Sequence, residues 1–330
     1  MSSRLTSFSK ILIVLVVMVV LFFLFRKFIP QNNTSSTVSN TVKTEEAKTN
    51  SKSVKQITAP TTKSFNYTPT APVNGKLKGV VELGASGFNS FIVNIDNNKN
   101  WELKKAEWGN SLVYDNMATS GDIREGLKRY ITRILDYGVD GRDIHFVVSS
   151  GAQKVASTKK IIRELKNMNY VVNTVTPEQE AKYALNAVLP NKFKNTAFVV
   201  DIGSGNTKIS WVENNGKAKG IETYGAKYYK NNVDDKTVYQ DVFNKSKLIP
   251  KNKRKVCFMI GGVPYKLAKE VRKDKERYTV LKAPENYNFE GAKMKSGLNI
   301  YKAITDATGC DEYVFDWDAN FTIGFLLNLR

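Results

Sequence analysis

Val200-Asp201-Ile202-Gly203-Ser204-Gly205-Asn206-Thr207-Lys208 is the stretch on which the fold turns. An apolar strand over 196–202 carries an acid near its end, passes a turn of small residues, and resumes as a strand over 208–213. Upstream, Val81-Glu82-Leu83-Gly84-Ala85-Ser86-Gly87-Phe88 has the same order of acid, small turn and strand. Glycines let backbone N–H groups come close to phosphate oxygens, and the acid can hold a divalent cation or its waters. One such turn reads as an ordinary hairpin. Two of them in one chain predict a facing pair of phosphate clamps. There is neither a Walker lysine motif nor a six-residue dinucleotide glycine fingerprint, so P-loop and Rossmann folds have no support.

Around these turns the pattern is strand followed by helix, twice over. Strands are predicted over 79–83, 88–95, 101–107, 144–148 and 170–175, and helices over 123–137 and 159–168. Ile123, Leu127, Tyr130, Ile131 and Ile134 recur at helical spacing, with Asp122 as the expected N-cap. Thr176-Pro177-Glu178-Gln179 is a helix start, with a hydroxyl cap, a proline in the first turn and a glutamine to close a capping box. The second set continues with a strand over 256–260 ending in Gly261-Gly262, a helix to about Arg272, and a strand and closing helix within 313–329. This is an α/β chain of two lobes. The first is placed at 75–192, completed by a helix over 319–330, and the second at 193–318.

Residues 11–25 form an unbroken apolar run flanked by Arg4, Lys10, Arg26 and Lys27. Such a run rises about 22 Å, and Phe8, Phe28 and Ile29 extend it towards a membrane-spanning length while the basic flanks snorkel. A cleaved signal peptide competes with this reading, but no small-x-small cleavage site follows. A single-pass anchor at 1–30 is therefore expected. Both flanks are basic, so its orientation stays open. Residues 31–74 are rich in Ser, Thr, Asn and Lys and read as a flexible linker.

The 330 residues include 50 basic and 31 acidic ones, a net charge of +19 that favours anionic partners or simply a basic surface. Cys257 and Cys310, far apart, give neither a disulfide framework nor a metal cluster. His145, the single histidine, lies among apolar strand residues and reads as structural, without support for a Ser-His triad. The basic run over 251–255 reads as a solvated loop. The aromatics form no stacking platform, and nucleic acid is not an expected partner.

The two turns resemble the phosphate-1 and phosphate-2 loops of the acetate/sugar kinase, heat-shock protein and actin superfamily. Val175-Thr176-Pro177-Glu178-Gln179-Glu180-Ala181-Lys182 is similar to a segment of the exopolyphosphatase / guanosine pentaphosphate phosphohydrolase (Ppx/GppA) family, and Gly261-Gly262 sits where the superfamily has its adenosine-side glycine pair. The resemblance covers about 78–330 and implies two RNase H-like lobes with a cleft between them. It implies Glu180 as the catalytic glutamate that activates water, and Asp201 with Glu82 as holders of Mg2+. It further implies Gly84, Ser86, Gly87, Gly203, Ser204, Gly205, Asn206, Lys208, Gly261 and Gly262 as phosphate contacts, with Lys154 in place of a phosphate-contacting arginine.

Two departures stand out. Glu82 replaces the family's usual aspartate, and Lys208 stands where a glutamate usually closes the second loop. An ammonium there repels a metal ion or gives its own charge to a phosphate. The resemblance thus implies a phosphoanhydride hydrolase acting on inorganic polyphosphate or guanosine pentaphosphate-like nucleotides. Its rival is a nucleotide- or phosphate-binding sensor of the same fold that does not hydrolyse, with a filament-forming ATPase further off. A homodimer stays open. Because such phosphates are chiefly cytoplasmic, the folded domain is expected on that face of the membrane.

Overall fold

The computed structural model describes residues 64–84, 87–108 and 119–329. The expected anchor at 1–30 and most of the linker lie outside these residues. Among the described residues no helix is long and apolar enough to cross a membrane.

The first half opens with β1 (Lys76–Gly84), β2 (Gly87–Ile95) and β3 (Trp101–Trp108), an antiparallel meander. Next come α1 (Ser120–Asp136), β4 (Ile144–Val148), α2 (Ala156–Asn167), β5 (Val172–Thr174) and α3 (Pro177–Val188). β4 and β5 add in parallel, giving a five-stranded mixed sheet of order β3-β2-β1-β4-β5. The second half repeats the scheme with β6 (Ala197–Ile202), β7 (Asn206–Val212), β8 (Ala218–Tyr224), α4 (Asp235–Ser246), β9 (Val256–Ile260), α5 (Gly262–Lys269), β10 (Tyr278–Val280), α6 (Ala292–Thr308), β11 (Glu312–Asp316) and α7 (Phe321–Asn328). Its six-stranded sheet runs β10-β11-β9-β6-β7-β8. Read from the meander inwards, 3-2-1-4-5 becomes 8-7-6-9-11, with β10 added antiparallel at the far edge. The α/β fold with two mixed sheets is thus present.

The predicted elements are found with shifted ends, and β8, β10, α4 and α6 are additional. The N-cap of α1 is Thr119, three residues ahead of Asp122, whose carboxylate instead accepts from Thr119 N and Oγ1 as the third residue of a capping box. The predicted box on α3 is formed: Thr176 Oγ1 accepts from Gln179 N at 3.2 Å while Gln179 Oε1 accepts from Thr176 N at 2.9 Å.

Between the sheets lie α3, against β8, and α7, against β1 and β2. Their apolar faces, Ala181, Ala184, Leu185 and Val188 on one and Ile323, Phe325 and Leu326 on the other, are buried where the two helices meet. Gly324 makes the crossing close, because a Cβ there would overlap the Tyr183 carbonyl.

Two expectations are corrected. The linker does not run to residue 74: the Phe65 and Tyr67 rings pack on Phe193 and Tyr278 at 5.4–5.6 Å, and Val73 N donates to Asp96 Oδ2 at 3.1 Å. Aromatic area is enough to hold down a stretch whose average composition is polar. The basic run over 251–255 is solvated only in part, at Lys251, Asn252 and Lys255. Lys253 is 1% exposed and donates to Lys194 O at 3.0 Å, and Arg254 donates to the Ile249, Lys247 and Ala307 carbonyls. These cations satisfy backbone acceptors that would otherwise go unpaired.

Gly324→Ala is expected to cost about 1–3 kcal/mol of stability through overpacking at the crossing. A urea midpoint equal to that of the unaltered chain would show that the helices have room to separate.

Candidate functional site

The sheet registers bring the acids together. Glu82 lies at the end of β1, and Asp201 at the end of β6 pairs across the ladder with Lys208 of β7. Because β4 runs parallel to β1, its end delivers the turn Ser149-Ser150-Gly151 beside Glu82, fixed by Ser149 N to Leu83 O at 3.0 Å. Gln153 Nε2 donates to Val175 O at 2.7 Å and ties that turn to the start of α3.

Glu180, in the first turn of α3, is 2% exposed and points into the cleft. Its Oε1 pairs with Lys208 Nζ, and its Oε2 accepts from Ser150 N at 3.0 Å and Ser150 Oγ at 2.5 Å. Asn206 Nδ2 donates in turn to Ser150 Oγ at 2.9 Å and Glu222 Oε1 at 2.5 Å. Lys208 is 4% exposed. Glu82 Oε2 accepts two amides, Asn89 Nδ2 at 3.1 Å and Asn320 Nδ2 at 3.0 Å, and Asn320 also caps α7 by accepting from Thr322 N.

The cleft has a volume of about 290 Å³. Its acidic end holds Glu82, Glu180, Asp201 and Lys208, and its other end is aromatic, with Trp108, Tyr265 and Trp317. The turn over 203–206 is closed by Gly203 N to Asn206 O at 3.1 Å and held from behind by Ala226 N to Gly203 O at 2.9 Å. Gly261, at φ +100, lets the backbone pass Asp201, where a Cβ would meet Oδ1 at 2.5 Å. Lys293 lines the same end, its pKa lowered by burial and by Lys227 and Lys266.

Burial pushes the Glu82 carboxyl up to about 7, with Asp201 and Glu180 adding to the rise and the Asn89 and Asn320 amides opposing it. Burial also raises Asp201 to about 6, with Glu180 in the same sense and Lys208 opposed.

Of the residues predicted for the site, Glu82, Gly84, Glu180, Asp201, Gly203, Ser204, Gly205, Asn206, Lys208, Gly261 and Gly262 all line this one cleft. Gly87 opens β2 opposite Gly84, and Ser86 lies outside the described residues. Lys154 is exposed on the turn before α2 and does not line the cleft, and from the same connection Ser150 bonds Glu180. Ser150, Asn89 and Asn320 were not foreseen. Ser149-Ser150-Gly151 shares with the two quoted turns only the small residues after an apolar strand, without the acid or the second strand, so that partial signature is all the sequence offered.

The side chains present do not fit the expected Mg2+. Lys208 stands on Glu180 and opposite Asp201, and Glu82 is taken up by two amides. Unit like charges 4 Å apart repel by about 4 kcal/mol at intermediate screening, and a dication doubles this. Among the described residues no group of three or more His, Cys, Asp or Glu is placed to hold a metal ion.

The α/β fold of two mixed sheets with a cleft between the halves is consistent with a two-lobe actin-like fold. Within it the chain has the fold of Ppx/GppA proteins. The Ppx/GppA enzyme of Aquifex aeolicus superposes with a TM-score of 0.58 at 16% identity, over 77% of this chain and 99% of that one. An exopolyphosphatase from Cytophaga hutchinsonii gives 0.59 at 14% identity, over 76% and 96%. No family model and no curated protein sequence matches the chain.

Glu82 and Asp201 both titrate higher in the folded chain than in the unfolded one, so the native state holds extra protons and gains stability at low pH. That gain fades as pH rises through about 6 and 7. Glu82→Gln is expected to flatten the loss between about pH 5 and 8 and to be the more stable form at the upper end. Denaturation curves of the two forms running parallel across this range would refute it.

Proposed function

We propose that the cleft binds a phosphoanhydride, inorganic polyphosphate or a guanosine pentaphosphate-like nucleotide, and hydrolyses its terminal phosphate. The observation that carries this is Glu180: a buried carboxylate aimed from α3 into a cleft walled by glycine turns from both halves. The turns over 203–206 and at Gly84 hold the phosphates, and Gly261-Gly262 receives the rest of the ligand. Water then attacks the terminal phosphorus. A new O–P bond forms as the anhydride P–O bond breaks, Glu180 takes the water proton, and the departing phosphate carries the bond's electron pair. The basic surface speeds encounter with a polyanion. We place this activity at a membrane, on its cytoplasmic face, through the apolar run over 11–25. A reporter fused to the C-terminus tests that side.

One observation favours a second reading. Both Glu180 oxygens are engaged, Oε1 by Lys208 and Oε2 by Ser150, so each already has a partner where an attacking water would have to be held. A chain that binds the phosphate and closes without turnover would keep this arrangement.

Phosphate release by the full-length chain, from polyphosphate and from a guanosine pentaphosphate, separates the two. Under the hydrolase reading Glu180→Gln lowers turnover by about 10²–10⁴-fold while the ligand still binds. Tight binding with no release by the unaltered chain would leave the sensor.

A further inference from the structure

An ammonium offers three donors. Lys208 makes one hydrogen bond to a described residue, with Glu180 Oε1, although its side chain is almost fully buried. The residue lines the cleft, where a buried ammonium favours further acceptors. Across the ladder stands Asp201, the residue to which the resemblance assigns the metal. Glu82, its supposed helper, joins β1 to β2 and to the cap of α7 through two amides on its Oε2.

We propose that Lys208 is the cleft's resident counter-cation, so that a phosphoanhydride binds here with no divalent metal and takes Lys208 as its charged donor. This rests on the phosphate reading of the cleft and holds under either the hydrolase or the sensor. Before ligand arrives, Lys208 offsets the carboxylates that would repel a polyanion. Once a phosphate oxygen reaches Nζ, the ammonium gains a charge-assisted bond to the ligand. Glu180 Oε1 keeps its partner, because a second N–H of the ammonium takes the ligand, while Ser150 still orients Oε2. The bland alternative, in which Lys208 only neutralises Glu180, predicts no contribution to ligand affinity.

Calorimetric titration of the full-length chain with inorganic tripolyphosphate, in EDTA and in excess MgCl2, tests the inference. The unaltered chain is expected to bind at least as tightly in EDTA as with magnesium. Lys208→Met should weaken binding in EDTA by about tenfold or more, the loss of one charge-assisted hydrogen bond. Lys208→Glu should make binding depend on magnesium. A second measurement needs no variant: the resonance of free Mn2+ should be unchanged when the unaltered chain is added. Tripolyphosphate binding that requires magnesium, Lys208→Met binding as the unaltered chain does, or capture of Mn2+ would each overturn the inference alone. Failure to bind in either buffer would overturn the phosphate reading and the inference with it.

Discussion

The close crossing of α3 and α7 is the constraint on which the rest is built. Gly324 lets one helix backbone lie against the carbonyl of Tyr183 on the other, and that contact holds two sheets at a fixed spacing. Because α3 leans on the second sheet, its first turn reaches the gap between the halves, and Glu180 arrives there buried. Because α7 leans on the first, its cap residue Asn320 reaches Glu82. The helices are the core and also the means by which each half presents groups to the cleft.

Within the cleft the chemistry is set by a lysine where a carboxylate is expected. Buried ion pairs seldom add stability, since desolvation consumes the attraction. Lys208 and Glu180 therefore read as functional placement, supported by the Ser150 turn and by Asn206 behind it. The raised Glu82 and Asp201 carboxyls show the remaining cost of assembling like charges in a dry place.

What the sequence disclosed was local. The two acid-turn-strand stretches, the Thr176 box and the apolar strands follow from short-range rules, and among the described residues their strands and the box are present. Glu180, Asp201 and Lys208 were named through the resemblance, and the structure brings them to one cleft. Lys154 was not where the resemblance put it, because the direction of a turn depends on anchors such as Gln153 to Val175 that spacing cannot show. Asn320 and Glu82 lie 238 positions apart, and only topology joins them. Lys253 and Arg254 looked solvated because a basic run carries no sign of the carbonyls waiting for it. Likewise, the rings of Phe65 and Tyr67 were lost in a polar average.

Those two rings lie in a seam well apart from the acidic centre. There Arg277, held by Asp316 at 3.0 and 3.1 Å, spreads its guanidinium over Trp101 of the first sheet at 4.4 Å. The seam and the cleft share no lining residue. At the cleft's aromatic end the halves touch only lightly, through Trp108, 55% exposed and 6.0 Å from Tyr265. In a body stitched on one side and in lighter contact on the other, the seam is the spine of a book and the cleft its page edge. A few degrees of rotation at the spine become ångströms at the page edge, so the grip on a ligand is set as much by the stitching as by the residues that touch it.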